Sequence, residues 1–210
     1  MQRQRRSTAQ GVGDRRERRA AGRQLANLCA MVIASWIAGC AFAQPPGLSP
    51  PALRAPDVHY QPTPMDVVHA MLGLANVTAG DVVYDLGCGD GRIVITAARR
   101  LGARGVCVDI DPERIAESRE NARQAGVADR IRFLNEDLLA TDIAGATVVM
   151  LFLSGELNLE VRPRLLRELK PGTRVVSHWH GMGDWKPQQT VNVRSDRRDR
   201  PIYLWTVPGR

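Results

Sequence analysis

Asp85-Leu86-Gly87-Cys88-Gly89-Asp90-Gly91 is the stretch on which the reading of this sequence turns. It ends Asp81 to Leu86, a short apolar run of strand length, and precedes Ile93 to Leu101, whose apolar residues recur at helical spacing. Three glycines at alternate positions between a strand and a helix permit positive φ and let a ligand approach the backbone. The spacing excludes two common uses of such a turn. A dinucleotide fingerprint G-x-G-x-x-G fails because Arg92 stands three residues after Gly89, and a phosphate-binding P-loop fails for want of G-K-[ST].

Outward from this turn the chain alternates strand and helix patterns. Gly105 to Ile110 reads as a strand, Pro112 to Ala125 as a helix and Ile131 to Leu134 as a strand. Ala146 to Leu153 is a buried strand, Leu157 to Leu169 a helix stopped by Pro171-Gly172, and Thr173 to His178 another strand. Upstream, Thr63 reads as an N-cap with Pro64 at the first helical position of a helix reaching about Ala75. The βαβ rhythm implies a parallel sheet. Thr190 to Arg194 and Ile202 to Val207 flank a polar turn and read as an antiparallel hairpin. The fold class is therefore α/β, a Rossmann-like, doubly wound, mostly parallel sheet with a C-terminal antiparallel hairpin, whose ligand sits beyond the carboxyl ends of its strands.

Acidic residues stand at three of those ends. Asp85 opens the glycine turn, Asp109 ends the next strand, and Asp137 follows the third, with Ile110 and Leu138 beside them. An acid about twenty residues past such a turn is placed to accept ribose hydroxyls. Carboxylates around the turn suit a nucleoside that carries positive charge better than an anionic pyrophosphate. S-adenosyl-L-methionine (SAM), cationic at its sulfonium and amino group, is such a cofactor.

Over roughly residues 60 to 208 the sequence resembles the class I SAM-dependent methyltransferases. That resemblance implies that Asp85, Gly87, Cys88, Gly89, Asp90 and Gly91 wrap the methionine moiety and sulfonium. It implies that Asp109 and Ile110 hold the ribose and that Asp137 and Leu138 border the adenine. A closer similarity is to the protein-lysine methyltransferases of the mitochondrial adenine nucleotide translocase and ATP synthase c subunit, with their short bacterial relatives. It is carried by Tyr60-Gln61-Pro62-Thr63-Pro64, Asp85 to Val94, Val148 to Leu153 and Gly183-Asp184-Trp185-Lys186-Pro187. The chain departs from those relatives at Cys88, where they have a small hydroxyl residue, and at Leu139, where an aromatic is usual.

The resemblance implies methyl transfer with a protein lysine as the leading acceptor. An RNA or small-molecule methyltransferase on the same fold is the alternative enzyme, and a non-catalytic SAM-binding protein is the alternative outside enzymes. Leu151-Phe152-Leu153-Ser154 stands where amide and adenine methyltransferases carry an Asn- or Asp-Pro-Pro-aromatic motif, so those chemistries lose ground. No catalytic acid or base is identifiable. Tyr60, Thr63, Ser154, Glu156, Asn158 and Trp185 are the candidates for the acceptor mouth. No C-x-x-C or Cys/His spacing for zinc occurs, and His178 with His180, two apart on a strand pattern, reads as structural. Arg194, Arg197, Arg198 and Arg200 alternate with Asp196 and Asp199 and read as a solvated turn.

Charge and composition complete the reading. The 210 residues suit one domain with some extra chain, and 44% hydrophobic with 24% charged residues excludes fibrous, disordered and disulfide-dense classes. The net charge of +7 would point to nucleic acid if it lay on the fold, but residues 1 to 24 hold eight Arg against Asp14 and Glu17, +8 − 2 = +6. Leu25 to Ala43 follows with no charged side chain and closes on Ala41-Phe42-Ala43, the order of a secretory signal peptide. A lipoprotein box at Ile37-Ala38-Gly39-Cys40 and an uncleaved membrane anchor are the second and third readings. All three place the domain in an exported or membrane-associated setting, against which the cytoplasmic origin of SAM favours retention in the cytoplasm. Cys29 and Cys40 fall in this leader, and Cys88 with Cys107 make no disulfide framework. Seven prolines between residues 44 and 64 mark a linker. The organisation expected is a leader over 1–43, a linker over 44–59 and a methyltransferase domain over 60–210.

Overall fold

The computed structural model describes residues 53–56 and 59–209. The leader and most of the proline-rich linker, with the export, lipoprotein and anchor readings that rest on them, lie outside the described residues.

Helix α1 (Met65–Leu74) packs Val67, Val68, Met71 and Leu72 inward and leads to β1 (Val82–Leu86). Through the glycine turn the chain enters α2 (Arg92–Leu101), which buries Ile93, Val94, Ala97 and Ala98 along one stripe. Next come β2 (Arg104–Asp109), α3 (Pro112–Gln124) and β3 (Ile131–Asn135). Asp111 starts α3 by accepting from the Glu113 amide at 2.8 Å, with Pro112 at the first helical position. Then β4 (Val148–Leu151), α4 (Gly155–Glu168), β5 (Arg174–His178), β6 (Gln189–Ser195) and β7 (Arg198–Thr206) complete the fold.

The seven strands form one sheet in the order β3-β2-β1-β4-β5-β7-β6. Strands β1 to β5 are parallel, in register Tyr84↔Val106 between β1 and β2 and Tyr84↔Val149 between β1 and β4. Both faces of β1, β2, β4 and β5 are buried, so successive residues alternate between two cores, while the edge strand β3 buries one face only. Val83, Val148 and Met150 face the side of α1 and α2, while Tyr84, Val149 and Leu151 face the side of α4 with Leu157, Val161 and Leu165. β7 runs antiparallel between β5 and β6, and Asp196 and Arg197, both at positive φ, turn the closing hairpin. The strand order reverses between β1 and β4, which places the ligand crevice at their carboxyl ends.

The opposite end of the sheet is cross-linked by Asp81. Its buried carboxylate accepts from the Thr78 amide at 2.8 Å, from Thr147 Oγ1 at 2.8 Å and from the Arg174 guanidinium. Arg174 also donates to the Ala75 carbonyl at 2.7 Å, so β1, β4, β5 and the end of α1 meet at one point. Burial works against ionisation of Asp81, yet these donors hold its carboxyl below the ordinary range.

Three local expectations change. The stretch read as a solvated turn is mostly paired strand: Arg194 lies on β6, Arg198, Asp199 and Arg200 on β7, only Asp196 and Arg197 turn, and Arg200 is half-buried. Pro64, not Thr63, is the N-cap of α1, and no side chain caps the helix; Thr63 is buried with Oγ1 3.5 Å from His178 Nδ1. The strand expected over Ala146 to Leu153 is only Val148–Leu151, because pairing with β1 and β5 extends over those four residues alone; Ala146 and Leu153 are buried in the loops on either side.

Candidate cofactor and methyl-acceptor cleft

At the reversal point lies a cavity of about 670 Å³, lined from the carboxyl ends of β1, β2 and β4, the loop after β3 and the chain before α1. Its floor is the glycine turn. Gly87 has φ +83 and lies so close to Leu153 that a Cβ would stand 2.8 Å from that side chain; at Gly89, φ +54, a Cβ would meet the Tyr60 ring at 2.4 Å. Both positions therefore require glycine on backbone and steric grounds. The turn is tied to β2, since the amides of Gly87 and Cys88 both donate to the Val108 carbonyl at 2.8 and 3.0 Å. A disulfide between Cys88 and Cys107, with Cα atoms 5.3 Å apart, adds a covalent tie to the same strand. The sequence offered two isolated body cysteines and no framework; the parallel register that sets Asp85 beside Cys107 brings them together.

Five aspartates line the cleft, Asp111 among them as the cap of α3, and the other four differ in environment. Asp85 is buried, and its Oδ2 has no hydrogen-bond partner among the described residues. Burial, then the negative charges of Asp109 and Asp90, push its carboxyl well above the ordinary range. Such an orphaned acid facing the cavity fits a cationic ligand group, which would restore its charge. Asp109 is aimed by two backbone donors, the Gly89 amide to Oδ2 at 2.8 Å and the Asp111 amide to Oδ1 at 3.0 Å, leaving lone pairs for hydroxyl donors. Asp90 would be raised by burial, but Arg92 outweighs this through an Nη2 to Oδ2 bond of 2.6 Å and its charge, and holds the carboxyl low. Arg92 Nη1 also donates to the Thr63 carbonyl at 2.8 Å, fixing the start of α1 against the turn. Asp137 is held low chiefly by its hydrogen bond from Arg54.

The cavity gathers Asp85, Gly87, Cys88, Asp90, Asp109, Ile110, Asp137 and Leu138, with Tyr60 and Thr63 also in its lining. Gly89 and Gly91 shape the turn without lining the cavity, Gly89 through its amide and Gly91 as the N-cap of α2. Four acceptor candidates fall elsewhere. Ser154 caps α4 by accepting from the Leu157 amide at 3.1 Å, and Glu156 is exposed in the first turn of that helix. Asn158 is buried and donates to Ser177 Oγ and the His180 carbonyl, each at 3.0 Å. Trp185 packs on Trp205, ring centroids 5.8 Å apart, and its carbonyl accepts from Trp205 Nε1.

Part of the cavity wall is apolar. Phe152, Leu153 and Leu157 line it, and Tyr60 lies across the glycine turn with the Arg114 guanidinium 4.8 Å over its ring. His178 backs Phe152, ring centroids 4.1 Å apart, and burial lowers its pKa to about 4, so the imidazole is neutral at physiological pH. Phe152 and Leu153 were absent from the sequence candidates, although their place just past β4, the strand beside β1, is a signal that could have found them. Arg54 had no such signal, lying in proline-rich chain before the first helix.

Residues 85–189 match the family of the ANTKMT methyltransferase domain. A protein-lysine N-methyltransferase of Saccharolobus islandicus is 43% identical over 153 residues, 72% of this chain and 95% of that protein. A Salinibacter ruber structure described as an RNA methyltransferase in complex with S-adenosyl-L-homocysteine is 50% identical, with a TM-score of 0.69, over 71% of this chain and 95% of that one. Ribosomal protein L11 methyltransferase of Haemophilus influenzae is 43% identical over 90 residues, only 30% of its length.

Proposed function

This chain belongs to the ANTKMT methyltransferase-domain family and is a SAM-dependent methyltransferase, and from that premise we propose that it methylates the amine of a lysine in a protein. The observation that carries the reading is the pairing of an acidic cofactor cleft with an apolar acceptor side formed by Phe152, Leu153 and Leu157. SAM, when bound, supplies an electrophilic methyl group on its sulfonium. Asp85 and the glycine turn would hold its cationic part, Asp109 its ribose and Asp137 its adenine edge.

The remaining work belongs to the protein. An apolar lining disfavours the charged form of an incoming ammonium and lowers its pKa, so that its proton passes to solvent as the side chain enters and the freed lone pair can attack. Phe152, backed by His178, and Tyr60, held by Gly89 and Arg114, fix the walls so that amine and methyl meet in line, the positioning that supplies most of the acceleration in such displacements. His178 does not line the cleft, and with its pKa lowered to about 4 by burial it is too weak a base to take the ammonium proton near pH 7.

RNA is the second reading, favoured by the description of the Salinibacter ruber relative. Against it stand the five aspartates that line the cleft, which outnumber its three arginines, and the concentration of positive charge in residues 1 to 24. Incubating the purified protein and methyl-labelled SAM with a cell lysate, then separating protein, RNA and small molecules, tests both. Label recovered as methyl-lysine supports the proposal, and label in RNA alone refutes it. Export or membrane attachment through residues 25–43 is proposed from the leader pattern and is consistent with the Cys88–Cys107 disulfide, a bond that persists in oxidising compartments.

A further inference from the structure

Arg54 reaches Asp137 across 83 positions of sequence and grips it as a fork, Nε to Oδ2 at 2.7 Å and Nη2 to Oδ1 at 3.2 Å. Arg54 and Pro56 line the same cavity as Asp85 and Asp109, and Tyr60 lies across the glycine turn. The chain before α1 thus touches the cleft at both ends, the adenine end through Asp137 and the methionine end through Gly89.

These contacts roof the cleft without filling it. With Arg54 in place the cavity still measures about 670 Å³, inside the roughly 300–1,000 Å³ usual for small-molecule sites. A carboxylate offers about four lone-pair positions. Arg54 takes two of those on Asp137 and the Leu139 amide a third, at 2.9 Å, which leaves one for an exocyclic amine. Arg54 and adenine can therefore share Asp137.

We propose that Arg54, Pro56 and Tyr60 form a strap over the cofactor, with Arg54 a cofactor-site residue that closes the adenine end through Asp137. The inference rests on the SAM-dependent reading above. By linkage, whatever the closed strap adds to cofactor affinity, the cofactor adds to strap closure. Arg54 and Pro56 of the proline-rich stretch are then part of the binding site, and the adenine pocket is incomplete in a chain cut at Tyr60.

Trypsin cleaves after arginine, so the full-length protein carries its own probe at the Arg54–Ala55 bond. S-adenosyl-L-homocysteine (SAH) is expected to slow, saturably, the appearance by mass spectrometry of the fragment beginning at Ala55. Arg54→Ala is expected to bind SAH roughly fivefold more weakly by calorimetry while its unliganded melting temperature stays that of the wild type. Arg54→Lys keeps the cleavage site and the charge but loses the fork, and should fall between the two with reduced protection. An Arg54→Ala affinity within about twofold of wild type, or tighter, overturns the strap, as does cleavage after Arg54 that ignores SAH. Failure of the wild-type protein itself to bind SAH would instead remove the cofactor assignment on which the strap depends.

Discussion

Breaking the Cys88–Cys107 bond should cost stability that can be worked from chain length. The bond closes a loop with a sequence separation of 19. A cross-link of that span removes loop-closure entropy from the unfolded chain worth about 3 kcal/mol. For a domain of about 150 residues this is a fall in melting temperature of roughly 6–12 °C. The assay is calorimetric melting with and without a thiol reductant, beside a Cys88→Ala/Cys107→Ala variant. Alkylation and peptide mass spectrometry separate these thiols from Cys29 and Cys40. The variant should melt low and ignore reductant, whereas the wild type should fall towards it. Because the loop contains Gly89 and ends beside Asp109, reduction should also weaken SAH binding. A wild-type melting temperature unmoved by reductant, with both thiols shown to be free, would refute the view that this bond constrains the cofactor turn.

Asp85→Asn should raise the unliganded melting temperature at pH 8 and weaken SAM binding about 10-fold or more, by differential scanning fluorimetry and calorimetry. The sign follows from burial: the folded state holds a proton that the unfolded chain releases, so stability falls as pH rises above the ordinary carboxylate range, and the amide removes that fall. His178 has the opposite sense. Its pKa is lowered from 6.5 to about 4, so its contribution is complete above pH 6.5 and is lost as pH falls towards 4, and His178→Gln should flatten urea-melt stability over that window. Trp179, 42% exposed as a residue, sits at φ +73 where the His180 amide donates back to the His178 carbonyl. Trp179→Gly should relieve about 1 kcal/mol of backbone strain but lose the covered part of the indole and add unfolded-state freedom, which together outweigh that relief, so the variant should melt a few degrees below the wild type.

The parallel sheet and its helices were legible because their signals are local. The apolar run ending at Leu86, the glycines and the stripe beginning at Ile93 lie side by side, and the same pattern repeats to His178. The acids at strand ends were legible for the same reason, since a parallel sheet gathers the residues that follow its strands. What stayed hidden depends on register and on distant pairing. Nothing near Cys107 says that it faces Cys88 until β1 and β2 are aligned. Ser154 and Asn158 looked like acceptor-side groups, but one is consumed by a helix cap and the other by a buried link to β5. Polar residues near a cleft advertise chemistry whether or not the backbone has already claimed their hydrogen bonds. Arg54 was invisible because linker composition gives no hint of where one of its side chains will land.

The Asp81 cluster has a consequence for how this protein can change. Thr147, Arg174 and the end of α1 converge on that carboxylate at the amino rim of the sheet, the rim opposite the cleft. Residues such as Phe152 and Tyr60 at the other rim share no partner with it, so their substitution and that of the anchor should behave as independent, additive perturbations. Acceptor preference can then drift, or be engineered, by exchanging side chains along one rim while a fixed knot at the other absorbs the loss in stability. A fold wired in this way is evolvable on its working side.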